Sequence, residues 1–197
     1  MSLLKVDTVQ GRSGTDISLA SGHTLKDASG NAIEAQQDFD LWRYTTNVTS
    51  DQVFKTDWER PDDVVTPLTG KYIGSGMSVD TSTGYWTFPR TGLWQVSFYY
   101  NCDVRSNSYA YLSIIATNDN GTTDDDVAQA YENERDNSGG RGLNGTMTCF
   151  LNITDTSNHK FKIASSNGWD STNHIFGSST VNMTYLVCER KGPAQSG

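Results

Sequence analysis

The sequence predicts an all-β protein, an antiparallel β-sandwich or barrel behind a short extended N-terminal arm. Apolar residues recur with period two in run after run, the mark of half-buried strands. Turn-forming pairs such as Thr83-Gly84, Gly139-Gly140 and Asn167-Gly168 separate the runs. No stretch keeps an apolar 3.6-residue period for three turns, so amphipathic helices are not expected. The 197 residues suit one domain with some extra length, and 35% hydrophobic with 11% aromatic residues can build a packed core. Only 19% of residues are charged, the reverse of a disordered composition.

Residues 1–36 differ from the rest, with no Trp, Tyr, Phe or Cys. Ser13-Gly14, Ser21-Gly22 and Ser29-Gly30 fall eight residues apart, and each pair is followed at one offset by Ile17, Leu25 or Ile33. A glycine turn before a brief strand with one buried side chain is a β-arc, too small to fold without neighbours. The same composition also fits a flexible Ser/Gly linker.

The strand-like runs begin at Phe39, where Phe39, Leu41 and Arg43 alternate with Asp40, Trp42 and Tyr44. In the run from Gly92, one face carries Trp94, Val96, Phe98 and Tyr100. Ala110, Leu112, Ile114 and Ala116 then alternate with Tyr109, Tyr111, Ser113 and Ile115. Residues 124–141 carry charge and two glycines, which fits a long surface loop, a short helical turn or an irregular strand. Met147, Cys149, Leu151 and Ile153 form the next stripe, followed by Phe161 and Ile163 and finally by Val181, Met183, Tyr185 and Val187. The organisation expected is an arm over 1–36, a head over 37–191 and a tail over 192–197.

The stretch from Gly84 to Ser97, with Tyr85-Trp86-Thr87-Phe88-Pro89-Arg90-Thr91-Gly92 at its centre, resembles the central hairpin of complement globular-head and TNF-like jelly rolls. Phe150 to Asp155, followed by Phe161-Lys162-Ile163, looks like that family's Leu-rich strand, acidic turn and following strand. Thr184 to Cys188 sits where the family's last strand pairs beside the first. Separately, Leu4-Lys5-Val6-Asp7-Thr8-Val9-Gln10 and the Gly14–Leu19 run resemble N-terminal arms of bacteriophage virion proteins, those of marine cyanophages above all. Together the resemblances imply a homotrimeric jelly-roll head on a virion, as capsid decoration, cement or fibre. Val6, Val9, Ile17, Leu19, Leu25 and Ile33 would anchor it to other virion proteins.

A formal charge of −8 argues against a nucleic-acid partner, because backbone binding needs clustered Lys and Arg. No apolar run is long enough to cross a bilayer, and the first residues show no signal-peptide pattern. A protein made in the host cytoplasm and carried into the virion is expected. Cys102, Cys149 and Cys188 each lie in an apolar strand-like run without CxxC or CxxH spacing, which predicts buried structural thiols rather than a zinc site. His23, His159 and His174 are flanked by polar turn residues, and no nucleophile elbow, phosphate loop or zinc-protease motif occurs. No catalytic residue and no cofactor are therefore expected.

The metal candidate is Asn118 to Asp126, with Asp119, Asp124, Asp125 and Asp126 offering the oxygens calcium prefers. The alternative there is a solvated acidic loop. The aromatics carry the rest of the functional reading. Strands with Tyr and Trp on both faces need something besides their own core to cover one face, and a neighbour across a three-fold axis would do so. Trp94, Phe98, Tyr100, Tyr109, Tyr111 and Tyr185 are the interface residues this predicts. The alternative is a receptor- or glycan-binding module, calcium-assisted where the acidic loop binds the ion, that recognises host surface polysaccharide through exposed rings. Trp169, a Trp among polar loop residues, is its candidate ligand contact.

Overall fold

A computed structural model describes residues 38–62, 71–104, 109–132 and 141–195. The arm, with Val6, Val9, Ile17, Leu19, Leu25 and Ile33, lies outside the described residues, as do the last two residues of the tail. The described chain is all strand and turn: β1 (Phe39–Tyr44), β2 (Gln52–Val53), β3 (Trp58–Glu59), β4 (Tyr72–Ile73), β5 (Ser78–Val79), β6 (Trp86–Thr87), β7 (Gly92–Val104), β8 (Ala110–Thr117), β9 (Asp125–Glu132), β10 (Arg141–Ile153), β11 (Lys160–Ser166), β12 (His174–Ile175) and β13 (Tyr185–Gly192).

These strands form two antiparallel sheets. One runs β10-β7-β13-β1-β3, with β12 beside β7 and β4 beside β1; the other runs β5-β6-β11-β8-β9, with β2 beside β11. The first strand lies against the last, Leu41 opposite Val187 and Arg43 opposite Tyr185, as the jelly-roll resemblance implies. Strands β7 and β10 pair over their whole length, Gly92 opposite Ile153 and Val104 opposite Arg141.

Period two sets what each strand buries. The even residues of β7 point inward, and Trp94, Val96, Phe98 and Tyr100 are all buried. Leu112 and Ile114 from β8, Phe161 and Ile163 from β11, and Leu186 and Cys188 from β13 meet them between the sheets. This corrects the expectation that Trp94, Phe98 and Tyr100 face a neighbouring subunit. Trp94 tilts against Phe88 at 5.3 Å and Phe98 packs edge-on to Phe54 at 5.7 Å, so their partners are within the chain. The Tyr100 hydroxyl donates to Glu132 Oε1 at 2.6 Å. Its ring fits because the residue opposite is Gly145, where a Cβ would lie 2.1 Å from the phenol oxygen.

All three cysteines are buried and unpaired with one another. Burial raises the Cys102 thiol to about 12, that of Cys149 to about 11 and that of Cys188 well above its ordinary value. Thiols held protonated are poor nucleophiles. Residues 125–132, part of the segment with three readings, form β9, an edge strand whose only hydrogen-bonded neighbour among the described strands is β8. Its charges suit an edge that must not pair with another chain.

Candidate interaction surface

The odd residues of β7 point away from the core; Leu93, Gln95, Ser97, Tyr99 and Asn101 line the open part of the face, and Asp103 lies buried at the end where β12 pairs. On one side, β10 places Asn152, Phe150, Thr148 and Thr146 opposite Leu93, Gln95, Ser97 and Tyr99. On the other, β13 places Glu189, Val187 and Tyr185 opposite Gln95, Ser97 and Tyr99. Directly opposed residues share a face, so these side chains form one surface. Glu189 is its single formal charge among those named, and it is paired with Lys191. The polar residues are largely satisfied within the face: Ser97 Oγ and Thr148 Oγ1 lie 3.0 Å apart, and Gln95 Nε2 donates to Ser97 Oγ at 3.2 Å. Phe150 stands on this face 60% exposed.

At the far end of the same face Tyr99 and Tyr185 stack, with centroids 4.5 Å apart and planes inclined by 9°. Burial, then the neighbouring Tyr99, raises the Tyr185 phenol above its ordinary value. Beside the pair is an open cavity of about 350 Å³, lined by Tyr99, Asn101, Asn144, Thr146, Asn182, Met183 and Tyr185 among others.

The six residues expected at an interface thus separate. Tyr185 is on this face and three are core. Tyr109 and Tyr111 lie on the outer face of the opposite sheet, where Tyr131 meets them with centroids 6.2 and 6.0 Å away. Phe150 and Tyr131 escape the sequence reading. Tyr99, whose phase opposite to Tyr100 is what points to aromatics on both faces of β7, was not among the six interface residues. Phe150 and Tyr99 occupy the polar phase of their strands, and an apolar residue out of phase was the available signal.

Trp169 is also corrected. It is 3% exposed, its indole donates to the Tyr111 carbonyl at 2.8 Å, and it packs in the core. Asp51 holds its loop by accepting backbone hydrogen bonds from Asn167 at 2.8 Å and Trp169 at 3.0 Å. A Trp so engaged cannot stack on a ligand.

The acidic loop does not gather its carboxylates. Asp119 folds back on its own turn, accepting at Oδ1 from Thr117 Oγ1 at 2.8 Å and from the Thr123 amide at 2.9 Å, and at Oδ2 from Thr123 Oγ1 at 2.7 Å. Asp124 pairs with Lys162 at 2.5 Å and accepts from the Tyr85 hydroxyl. Asp125 and Asp126 are successive strand residues, so they point to opposite faces. Among the described residues no group of three or more His, Cys, Asp or Glu could hold a metal ion. In the structure the Asp119 and Asp124 carboxylates are spent on their own turn, on Lys162 and on Tyr85.

Hydrogen bonds from Thr123, backbone first and then hydroxyl, together with the Thr117 hydroxyl, lower the Asp119 carboxyl from 3.8 to about 2. Because the folded value lies below the unfolded one, its stabilisation is complete above pH ~4 and is lost as pH falls through the folded value. A carboxyl-carbon NMR titration should give Asp119 a midpoint near 2. A midpoint near the ordinary aspartate value would mean that the turn is open in solution.

No protein-family model matches the chain, and no curated protein matches it. Among solved structures it is similar to the Eiger TNF of S. frugiperda, with a TM-score of 0.51 and 11% sequence identity. The match covers 80% of this chain and 96% of that one. At that identity the likeness shows the fold alone, a TNF-like jelly roll.

Proposed function

We propose that this jelly-roll chain is a non-enzymatic structural protein of a bacteriophage particle. It forms a homotrimeric head on the virion surface, as capsid decoration or fibre, and its N-terminal arm anchors it to other virion proteins. One observation carries the assembly: the outer face of β10-β7-β13 bears Leu93, Phe150 and Val187 in a nearly uncharged setting, with Phe150 60% exposed. Homo-oligomer interfaces are depleted of charge and enriched in aromatics in this way, and closed symmetry lets each copy cover the next one's face. The resemblance to TNF-like heads implies the number three. The resemblance of residues 4–19 to phage virion arms supports the placement on a particle. Thiols held protonated by burial are consistent with a structural role.

Light scattering of the full chain tests the assembly. The expected mass is three times 21.7 kDa, and Phe150→Glu should reduce it to that of one chain without altering the far-ultraviolet circular dichroism. A full chain at 21.7 kDa at its highest soluble concentration would remove the trimer. Antibodies against the head should also label purified particles of the source phage, and bare particles would remove the display role.

A further inference from the structure

We propose that the cavity beside Tyr99 is a binding site for a neutral pyranose sugar. Tyr99 and Tyr185 are directly opposed across β7 and β13. Adjacent strands lie ~4.8 Å apart, and the two rings are 4.5 Å apart and nearly parallel. The stacking direction is therefore the direction between strands, and the rings stand on edge above the sheet. Tyr185 covers one face of the Tyr99 ring. The other face turns toward β10, where the opposed residue is Thr146, too short to cover it. An open aromatic face is left over a slot floored by a small polar residue, an arrangement that accepts the C–H face of a sugar ring.

Hydrogen-bonding groups surround the slot. Asn144 and Asn101 are opposed one pair further along the same face, and Asn182 lines the cavity on the Tyr185 side. Each carboxamide offers two donors and an acceptor, the set that pairs of sugar hydroxyls require. Within the described residues neither the Asn144 nor the Asn182 amide is spent on another side chain. No charged residue is among the lining residues, and the chain as a whole carries −8, so an acidic sugar gains no partner and meets repulsion. A cavity of about 350 Å³ lies at the small end of the ~300–1,000 Å³ of ligand pockets and suits one or two rings. The source can be a host surface polysaccharide or a free glycoside, since both present the same ring and hydroxyls.

The two readings use different ends of one face: Leu93 and Phe150 lie at one end, Tyr99 and Tyr185 at the other, with Val187 between them. The test is an NMR titration of the ¹⁵N-labelled full chain with methyl glycosides of glucose, galactose, mannose and N-acetylglucosamine, and with sialic acid as the acidic counterpart. At least one neutral glycoside should shift the side-chain amide signals of Asn144 and Asn182 saturably. Thr146→Trp, which fills the slot, should abolish the shifts, and Asn144→Ala should weaken binding about tenfold, as loss of one or two hydrogen bonds would. The proposal is overturned if no neutral glycoside moves those signals, if sialic acid binds more tightly, or if Asn144→Ala binds as the parent does. Light scattering on the same samples separates the two readings: a monomer that binds sugar removes only the trimer, and a trimer that binds none removes only this site.

Discussion

Replacing Arg60 with Ala is expected to destabilise the head by about 3–5 kcal/mol, a large share of the ~5–15 kcal/mol a domain possesses. The reason lies in Asp40, which is 1% exposed on β1. Arg60 grips its carboxylate with two hydrogen bonds, from Nε at 2.9 Å and from a terminal nitrogen at 2.8 Å. It also donates to the Met77 carbonyl at 2.9 Å. The guanidinium lies 4.2 Å from the Trp42 ring centroid and 4.8 Å from that of Tyr72, so the cation also joins β1 to β4 through stacking. Without it, a charge remains buried with the Met77 amide as its remaining described donor, and an uncompensated buried charge is the costly outcome of breaking such a pair. Removing Asp40 costs less per charge, because Arg60 is 28% exposed and can turn to water. Urea denaturation of Arg60→Ala, Asp40→Asn and the double variant measures this. The double variant should be more stable than Arg60→Ala alone, since Asn needs no counter-charge. If Arg60→Ala costs under about 1 kcal/mol, the range of an exposed pair, the clasp is not closed in solution.

The residues that made the fold legible are those whose burial is periodic. The stripes of β7, β8 and β10 were readable because each has one face against the other sheet, and the pairing of the last strand with the first followed from the jelly-roll resemblance. On β13 the expected stripe of Tyr185 and Val187 is the outer phase, and Leu186 and Cys188 face inward instead. Edge strand β9 was not readable, because its partly buried phase consists only of Ala128, Ala130 and Glu132, too weak an apolar stripe to stand out among exposed residues. Arg43 illustrates a different limit. It is 2% exposed although it belongs to the phase of β1 that faces away from the core, because Glu59 and Asp62 close over it. At the candidate site the sequence found Tyr185 but misplaced Trp94, Phe98 and Tyr100, for a physical reason: on a strand with aromatics in both phases, composition does not say which phase faces inward. Trp169 was unreadable because its loop is held by Asp51, more than a hundred residues away in sequence. The cavity beside Tyr99 was likewise invisible, since it depends on β7, β10 and β13 lying side by side.

Trp86→Ala should likewise cost about 3–5 kcal/mol, but through packing alone. Trp86 is fully buried and is a junction of both sheets. It meets Trp42 on β1 edge-on at 5.2 Å and Trp58 on β3 edge-on at 5.3 Å, and it stacks with Phe161 on β11 at 6.1 Å. An Ala there leaves a cavity with three aromatic walls, and such walls relax only in part. Trp86→Phe keeps part of the contact and should lose less. The measurement gains force beside Phe150→Glu, because the two changes act on different terms. Assembly stabilises the native state by mass action, so the unfolding midpoint of a trimer rises with protein concentration. Trp86→Ala weakens every copy and should lower the midpoint at every concentration while leaving that rise in place. Phe150→Glu alters an exposed side chain and should abolish the rise. If both variants lose stability by the same amount at all concentrations, Phe150 serves its own chain's packing, and the uncharged face of β10-β7-β13 is not where the copies meet.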